Sequence, residues 1–127
     1  MPMTSLLVEG ENAGSTSAVA PAASLFHSLS DPARLAILQH LTLGEHRVRD
    51  LTEHLGLAQS TVSAHLTCLR DCGLVASRPQ GRASLYSLTC PEELLGLLTA
   101  AEALLAATGY AVQLCPIYGR PGEGENQ

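Results

Sequence analysis

The sequence contains no lysine, so its seven basic residues other than histidine are all arginine. It has no run of about 18 apolar residues, the length that a membrane span needs, and residues 1–20 lack the basic and apolar stretches of a secretory signal. The motif C-x-x-C is also absent, which leaves a thioredoxin-like activity without support. We therefore expect a cytoplasmic protein without membrane contact, whose four cysteines are ligands, sensors or core residues rather than disulfides.

The acidic residues are concentrated towards the two ends and the last predicted helix, although the whole chain has a net charge of -5. Residues 30–90 hold six arginines and five acidic residues, which gives this segment a charge of +1. Such a segment can approach a polyanion. In the absence of lysine, contacts with phosphate would come from arginine, histidine, hydroxyl groups or backbone amides.

Three short helices are predicted in the first half of the chain. Residues 1–20 are rich in serine, alanine and glycine and are predicted to form a disordered arm. A helix is expected over residues 21–29. Ser30, Asp31 and Pro32 then supply a cap and a first-turn proline for a second helix. The third helix is predicted to end at Gly56, because glycine commonly follows the last residue of a helix.

The segment from Gln59 to Gly73 is predicted to be a helix with three distinct sides. A rotation of about 100° per residue places Val62, Leu66 and Leu69 in one apolar line that faces the core. A second side carries small or hydrogen-bonding residues, which suit close approach in a DNA major groove. These residues are Ser60, Ser63, Ala64, Thr67 and Arg70. Because only a short turn separates this helix from the preceding one, the pair is predicted to be a helix-turn-helix.

Two alternating segments after this helix predict a β-hairpin. The strands are expected in residues 74–77 and 84–88, with the sequence R-P-Q-G-R at 78–82 as the turn between them. A hairpin directly after a recognition helix is the wing of a winged helix. Arg78 and Arg82 would then meet DNA phosphates or the minor groove, whereas the alternative is a pair of solvated surface arginines.

The last predicted helix begins at Pro91 and has an apolar face wider than its own domain needs. Such a face usually packs on a second copy, so the expected fold is a mainly α winged helix-turn-helix that forms a homodimer through its terminal helices. The domain is expected to span residues 21–109. In the tail, residues 110–127, the apolar first half is expected to dock on the domain, and residues 119–127 are expected to be free.

Cys68 and Cys72 lie one helical turn apart, on the flank of the apolar line of the recognition helix. At this spacing both sulfurs can hold one soft metal ion, with metal–sulfur distances of about 2.3 Å. Gly73 directly follows the pair, which places the thiols at the negative end of the helix dipole and favours a bound cation. The alternative, on spacing alone, is that both cysteines are small buried hydrophobic residues.

Four stretches of the sequence resemble the ArsR/SmtB family of bacterial metal-sensing repressors. They are D-P-A-R-L-A-I-L at 31–38, Q-S-T-V-S-A-H-L at 59–66, L-R-D-C-G-L-V at 69–75 and G-R-A-S-L-Y at 81–86. The resemblance covers about residues 22–107. It implies a homodimeric winged helix that binds a palindromic operator without metal and releases it when metal binds.

Metal sites occur on different elements within the family, and two of these sites lack their ligands here. Arg47 and Arg49 replace the Cys-x-Cys of arsenic, lead and cadmium sensors, and the last helix has neither the histidine nor the aspartate of zinc and cobalt sensors. The remaining C-L-R-D-C resembles the cysteine pair on the recognition helix of cadmium/lead-sensing members. That resemblance implies Cys68 and Cys72 as ligands, with a third thiolate from the C-terminal region of the other protomer, here Cys115.

The sequence therefore predicts a transcriptional repressor and not an enzyme, with Cd(II) or Pb(II) as inducer and Zn(II) or As(III) as alternatives. A thiol-based redox sensor on the same fold is the rival function. The expected partners are a second copy of the chain and double-stranded, palindromic operator DNA. The expected DNA contacts are Gln59, Ser60, Thr61, Ser63, Ala64, Thr67, Arg78 and Arg82.

Overall fold

The computed structural model describes residues 16–115, which form helices and a small three-stranded sheet. A helical turn at residues 16–18 precedes the first full helix, and residues 1–15 of the expected arm lie outside the described residues. The elements are, in chain order, α1 (Ala20–Leu29), α2 (Pro32–Leu41), β1 (His46–Arg47), α3 (Val48–Leu55), α4 (Gln59–Asp71), β2 (Val75–Gln80), β3 (Ala83–Leu88) and α5 (Pro91–Ala107). Within residues 16–115, no helix is long and apolar enough to span a membrane.

The boundaries of α2 and α3 follow from their capping residues. Asp31 has an extended backbone, and its carboxylate accepts hydrogen bonds from the backbone N–H groups of Ala33 (2.9 Å) and Arg34 (3.1 Å). This confirms the predicted cap, which satisfies two of the helix's unpaired donors. Gly56 adopts φ +68°, the left-handed conformation that ends a helix at little cost only in glycine. The chain therefore turns sharply from α3 into α4.

A three-stranded antiparallel sheet has β3 in its centre, between β1 and β2. The hairpin register leaves Gly81 (φ +62°) and Arg82 as a two-residue turn, which is shorter than the turn predicted at residues 78–82. Pro79 lies within β2 because β2 is an edge strand, where the missing N–H of proline removes no ladder hydrogen bond. The wing is therefore longer than predicted, and its tip is narrower.

The hydrophobic core lies where α2, α3, α4, β2 and α5 meet, and it holds α4 by one side. Val62, Leu66 and Leu69 are completely buried, which confirms the predicted apolar side of α4. The buried core residues are Ile37, Leu38, Leu41, Leu51, Val62, Leu66, Leu69, Val75, Leu94, Leu98 and Cys115. Because this burial fixes the rotation of α4 about its axis, the polar side of the helix faces outward.

The chain after α5 folds back on the domain near its last described residues. The carboxylate of Glu102 accepts hydrogen bonds from the backbone N–H groups of Leu114 and Cys115, both at 2.6 Å, and Gln39 Nε2 donates to the carbonyl oxygen of Leu114 at 2.7 Å. Tyr110, in contrast, is 71% exposed. Docking is therefore local to Leu114 and Cys115 among the described residues. Residues 110–113 of the segment expected to dock are exposed, and residues 116–118 lie outside the described residues.

Large apolar side chains are exposed on the first and last helices. Phe26 of α1 is 56% exposed, and Leu104 of α5 is 67% exposed. Exposed apolar surface of this kind is typical of a face that packs on a partner. These two side chains are where the predicted homodimer contact through terminal helices would lie.

Candidate DNA interface and thiol site

The polar side of α4 is open to solvent along its length. The exposed residues are Gln59, Ser60, Thr61, Ala64 and Thr67, and Ser63 is half-buried. Ala58 is the N-cap residue and makes no side-chain hydrogen bond, so the first backbone N–H groups of α4 have no capping side chain. Such N–H groups, at the positive end of a helix dipole, attract anions. The predicted reading residues thus share one accessible surface whose start is suited to a DNA phosphate.

A cleft of about 380 Å³ lies beside the start of α4 and is lined by three arginines. Arg47 ends β1 and caps α3, and Arg49 is in the first turn of α3. Arg82 comes from the wing turn, and Gln59 comes from α4. Among the described residues, Arg49 and Arg82 form no ion pair. Unpaired guanidinium groups next to a reading helix suit contacts with the DNA backbone, because arginine donates several hydrogen bonds to phosphate oxygens.

Arg47 and Arg49 were not among the predicted DNA contacts. Two arginines at the start of the first helix of a helix-turn-helix are nevertheless a sequence signal for phosphate contact. Arg47 is partly engaged, because its backbone N–H donates to Asp50 Oδ2 at 3.0 Å and its Nε lies 3.6 Å from the same oxygen. The hydrogen bond from the Arg47 backbone holds the pKa of Asp50 below its ordinary value.

Arg78 lies within β2 and not at the tip of the wing. Its Nε and Nη2 donate to the two carboxylate oxygens of Glu45 at 2.9 and 2.8 Å. These hydrogen bonds lower the pKa of Glu45 and raise the pKa of Arg78. The charge of Arg78 is therefore already engaged, and Arg82 is the better placed of the two predicted wing contacts. A DNA-binding role for Arg78 stays a prediction.

The thiols of Cys68 and Cys72 both face the hydroxyl group of Ser28, on α1. Ser28 Oγ lies 3.1 Å from Cys72 Sγ and 3.9 Å from Cys68 Sγ. Ser28 is buried, but both cysteines are half-buried and line an open cleft of about 520 Å³ with His27 and Asp71. The two sulfurs thus point to the same side, as the spacing predicts, and solvent ions can reach them.

The other two cysteines lie elsewhere. Cys115 is buried in the core, where its Sγ is 3.4 Å from Thr99 Oγ1 of α5, and Cys90 is exposed at the N-cap of α5. Within one chain, the part that the structure describes contains no group of three or more His, Cys, Asp or Glu side chains arranged to hold a metal ion. A single protomer therefore brings together the pair on α4 but not the third predicted thiolate.

Arg34 connects the thiol side of α4 to α1 and α2. Its Nε donates to the carbonyl oxygen of Ser28 at 2.7 Å, and its Nη2 donates to that of His27 at 3.0 Å. Its Nη1 lies 3.4 Å from His65 Nδ1, while His65 Nε2 lies 3.6 Å from Asp31 Oδ2. The backbone N–H of Arg34 is the main reason why the pKa of Asp31 is lowered. A continuous polar network therefore joins the thiol pair to the cap of α2.

Comparison with known proteins identifies related transcriptional regulators. The family described as "Bacterial regulatory protein, arsR family" matches residues 31–77. A "Probable mercury resistance operon repressor" from Streptomyces lividans is 39% identical over 105 residues, which are 83% of this chain and 82% of that protein. The transcriptional regulator CmtR of Mycobacterium tuberculosis is 47% identical over 66 residues, which are 52% of this chain and 56% of CmtR.

Among solved structures, the homodimeric winged helix-turn-helix DNA-binding domain Mb0332 from Mycobacterium bovis superimposes with a TM-score of 0.62. It is 27% identical in sequence, and the match covers 72% of this chain and 89% of that domain. The predicted winged helix-turn-helix is therefore confirmed, as is the prediction of a DNA-binding regulator in place of an enzyme. The chain belongs to the ArsR/SmtB family of metal-sensing transcriptional repressors.

Proposed function

We propose that a homodimer of this chain binds a palindromic operator in its metal-free form and releases it when a thiophilic ion, Cd(II) or Pb(II), binds to Cys68 and Cys72. In this proposal the third ligand is Cys115 of the partner subunit. The residues proposed to contact base edges are Ser60, Ser63, Ala64 and Thr67, together with Gln59 and Thr61. Arg82, Arg49 and Arg47 contact phosphates beside them. The proposed place of action is the cytoplasm, where the operator lies.

The observation that carries the proposal is the position of the thiol pair on the reading helix. Cys68 and Cys72 are in and directly after the last turn of α4, whereas Ser60 and Ser63 are in its first turns. Both sulfurs face one hydroxyl group from an open cleft. Because an α-helix transmits displacement along its length, any force on the thiols acts on the same rigid element that reads DNA.

The donor set fits a soft ion. Two thiols on one side of the helix, with a third sulfur available from a partner, match the low coordination numbers and soft ligands that large thiophilic ions accept. Binding such an ion requires both thiols to lose their protons. Ser28 Oγ, at 3.1 Å from Cys72 Sγ, can then donate a hydrogen bond to the thiolate. The names of the relatives, which mention mercury and arsenical resistance operons, support a thiophilic inducer.

Cys115 has to change its surroundings to take part. It is 7% exposed, and its Sγ contacts Thr99 of its own chain. To reach the partner's thiols, its side chain must leave this contact, while the hydrogen bond from its backbone to Glu102 can keep the segment in place. We therefore expect Cys115 to contribute more to the release of DNA than to the first capture of the ion.

The free-energy coupling needed between metal binding and DNA release is small. If the metal favours the arrangement that does not bind DNA by about 1–3 kcal/mol, the operator affinity falls roughly 5- to 150-fold. Two reading helices must be at the right separation to enter successive major grooves, so a change in their tilt is sufficient. Cys68→Ser and Cys72→Ser should abolish tight metal binding and leave a permanent repressor. Cys115→Ser should still bind metal, more weakly, and lose most of the release.

The test measures the affinity of the reduced full-length protein for operator DNA, selected from a random library, with and without Cd(II). Cys90→Ser is the matched control, because Cys90 is an exposed cysteine outside the thiol cleft. The proposal requires wild-type release in this control and no release in the Cys72→Ser variant. If Cys72→Ser leaves the operator at the same Cd(II) concentration as the wild type, the switch lies elsewhere. Parallel titrations with Pb(II), Zn(II), As(III) and Hg(II) rank the inducers.

A redox switch is the second candidate function, because the spacing that favours a shared ion also suits oxidation. Cysteines one helical turn apart have Cα atoms about 6 Å from each other, within the range that a disulfide spans. In that case, mild oxidant alone would release DNA and consume two thiols per protomer in the absence of metal. Thiol titration before and after exposure to oxidant, in the wild type and in Cys72→Ser, separates the two functions.

A further inference from the structure

Three of the five histidines of the chain lie together. His40 is in α2, His46 is in β1 and His54 is in the last turn of α3. The ring centroids are 5.3 Å apart for His40 and His54, 5.8 Å for His46 and His54, and 6.4 Å for His40 and His46. We call these residues the histidine cluster. No part of the DNA interface or of the thiol site uses them.

Two members of the histidine cluster are already in the tautomer that binds metals. His40 Nδ1 lies 3.1 Å from the carbonyl oxygen of Ala36, and His46 Nδ1 lies 2.8 Å from that of Gly44. Because a carbonyl oxygen can only accept, both Nδ1 atoms carry the proton, and in the neutral rings Nε2 has a free lone pair. Metal-binding histidines usually donate their other ring N–H to a carbonyl or carboxylate in this way.

The spacing of the rings is close to that around a shared ion. Two imidazoles that bind one tetrahedral ion through nitrogens about 2.0–2.1 Å from it place their ring centroids roughly 5 Å apart. The shortest distance in the histidine cluster is 5.3 Å, and the longest, 6.4 Å, requires an approach of only about 1 Å. The rings are also accessible, since His54 is exposed and the other two are half-buried.

In the structure as it stands, the nitrogen atoms do not converge: residues 16–115 contain no group of three such side chains arranged to hold a metal ion. The side chain of His54 contacts the rings of His40 and His46 and forms no hydrogen bond with a described residue, so its ring can rotate at the cost of these ring contacts alone. The rotation of one exposed side chain costs far less than a metal–nitrogen bond gains. Rotation of His54 leaves the 6.4 Å between His40 and His46 unchanged, so these two rings must also tilt towards each other by about 1 Å while their Nδ1 atoms keep their carbonyl partners.

We propose that His40, His46 and His54 form a second metal site, separate from the thiols, for one divalent ion of the borderline class such as Ni(II) or Zn(II). Three imidazole nitrogens suit these ions and not the soft ions that prefer thiolates. The bound ion joins the end of α2, the strand β1 and the last turn of α3. β1 pairs with β3 of the wing, so the site ties the first helix of the helix-turn-helix to the base of the wing. It stabilises the folded domain, because the unfolded chain does not hold the three rings together.

The test uses the full-length protein, expressed without a histidine tag, in which Cys68→Ser and Cys72→Ser remove the thiol site. Calorimetric titration with Ni(II) should give one ion per protomer, and the ion should raise the midpoint of thermal unfolding. His40→Gln and His54→Gln should each weaken binding at least about 100-fold. The matched controls are His27→Gln and His65→Gln, which remove the two histidines outside the histidine cluster and should leave Ni(II) binding unchanged.

A second measurement needs no substitution of histidine. In the same protein loaded with Co(II), proton NMR should show the hyperfine-shifted, solvent-exchangeable Nδ1–H signals of three imidazoles. Three such signals support the site even if one glutamine variant folds poorly. The inference is overturned if binding survives His54→Gln unchanged, if His27→Gln or His65→Gln weakens it as much, or if Ni(II) saturates only at millimolar concentration. Because Cys68 and Cys72 are absent from this protein, neither result depends on the thiol switch.

Discussion

Replacing Arg82 by alanine should weaken DNA binding through the phosphate backbone and not through base recognition. Arg82 is at the tip of the wing, lines the basic cleft beside the start of α4, and has no ion-pair partner among the described residues. Its charge is therefore free to replace a counterion on DNA. We expect Arg82→Ala to lower affinity for every duplex by a similar factor, because phosphates carry no sequence information.

The size of the effect follows from counterion release. Each phosphate contact contributes about 0.9 to the slope of log affinity against log salt concentration, so a dimer that loses both copies of Arg82 loses about 1.8. Between 50 and 200 mM salt, that difference corresponds to a roughly 12-fold smaller loss of affinity in the variant than in the wild type. Arg49→Ala should give a similar change, since Arg49 shares the cleft and is also unpaired among residues 16–115.

Arg78 provides the matched control, because it is on the same hairpin but donates two hydrogen bonds to Glu45. Arg78→Ala should change the salt slope by much less than Arg82→Ala does. Glu45→Gln should instead steepen the dependence of affinity on salt, since it removes a negative charge and releases Arg78 to contact phosphate. The assay is fluorescence anisotropy of a labelled random-sequence duplex, titrated with reduced, metal-free protein at four or more salt concentrations.

Two results would refute this reasoning. Equal salt slopes for the wild type and Arg82→Ala would mean that the wing tip does not touch DNA. If Arg78→Ala reduces the salt slope as much as Arg82→Ala does, the ion pair of Arg78 with Glu45 opens when DNA binds. In that case the ion pair does not determine which arginine contacts phosphate.

Four further predictions concern stability and assembly. Asp31→Ala should lower the free energy of unfolding in urea at pH 7, because the cap of α2 is lost; since the folded pKa of Asp31 is lowered from 3.8, this difference should begin to shrink below about pH 4 and disappear as the pH falls through the folded pKa. Ala58→Ser should add the missing cap of α4 and raise the free energy of unfolding by about 0.5–1 kcal/mol. Leu66→Ala, at a completely buried position, should cost about 2–5 kcal/mol in the same assay. Leu104→Asp should give a folded monomer by sedimentation, and an intact dimer would contradict the expected interface.

The helices were predictable because their signals are local. Asp31 with Pro32, and the glycine at 56, mark boundaries within a few residues of themselves, and the apolar line of α4 needs only its own spacing. The turn of the wing was predicted less well. Proline and glycine both favour turns, and the sequence does not show that β2 is an edge strand, where Pro79 is tolerated. β1 was missed because two residues are too few to alternate.

The thiol pair was predictable for the same reason, since both cysteines lie on one helix. The contacts that other elements make with the two thiols could not be predicted. Ser28 is 40 residues before Cys68 and 44 before Cys72, and no periodicity connects them. The ion pair of Arg78 with Glu45 spans 33 residues and was equally invisible. Contacts of this kind depend on how the elements pack, and packing is what a single sequence specifies least directly.

The length of α4 converts a small tilt at its thiol end into a larger displacement at its DNA-contacting end. With 13 residues it is about 20 Å long at 1.5 Å per residue, and Cys72 and Ser60 are near its opposite ends. A tilt of about 10° about the thiol end moves the reading end by roughly 3 Å, which is the length of a hydrogen bond. A small rearrangement at the sulfurs is thus enlarged along α4 into the loss of contacts between its first turns and the DNA bases. Substitutions that bend or soften the middle of α4, such as Ala64→Gly, should therefore uncouple metal from DNA while leaving each site able to bind its own ligand.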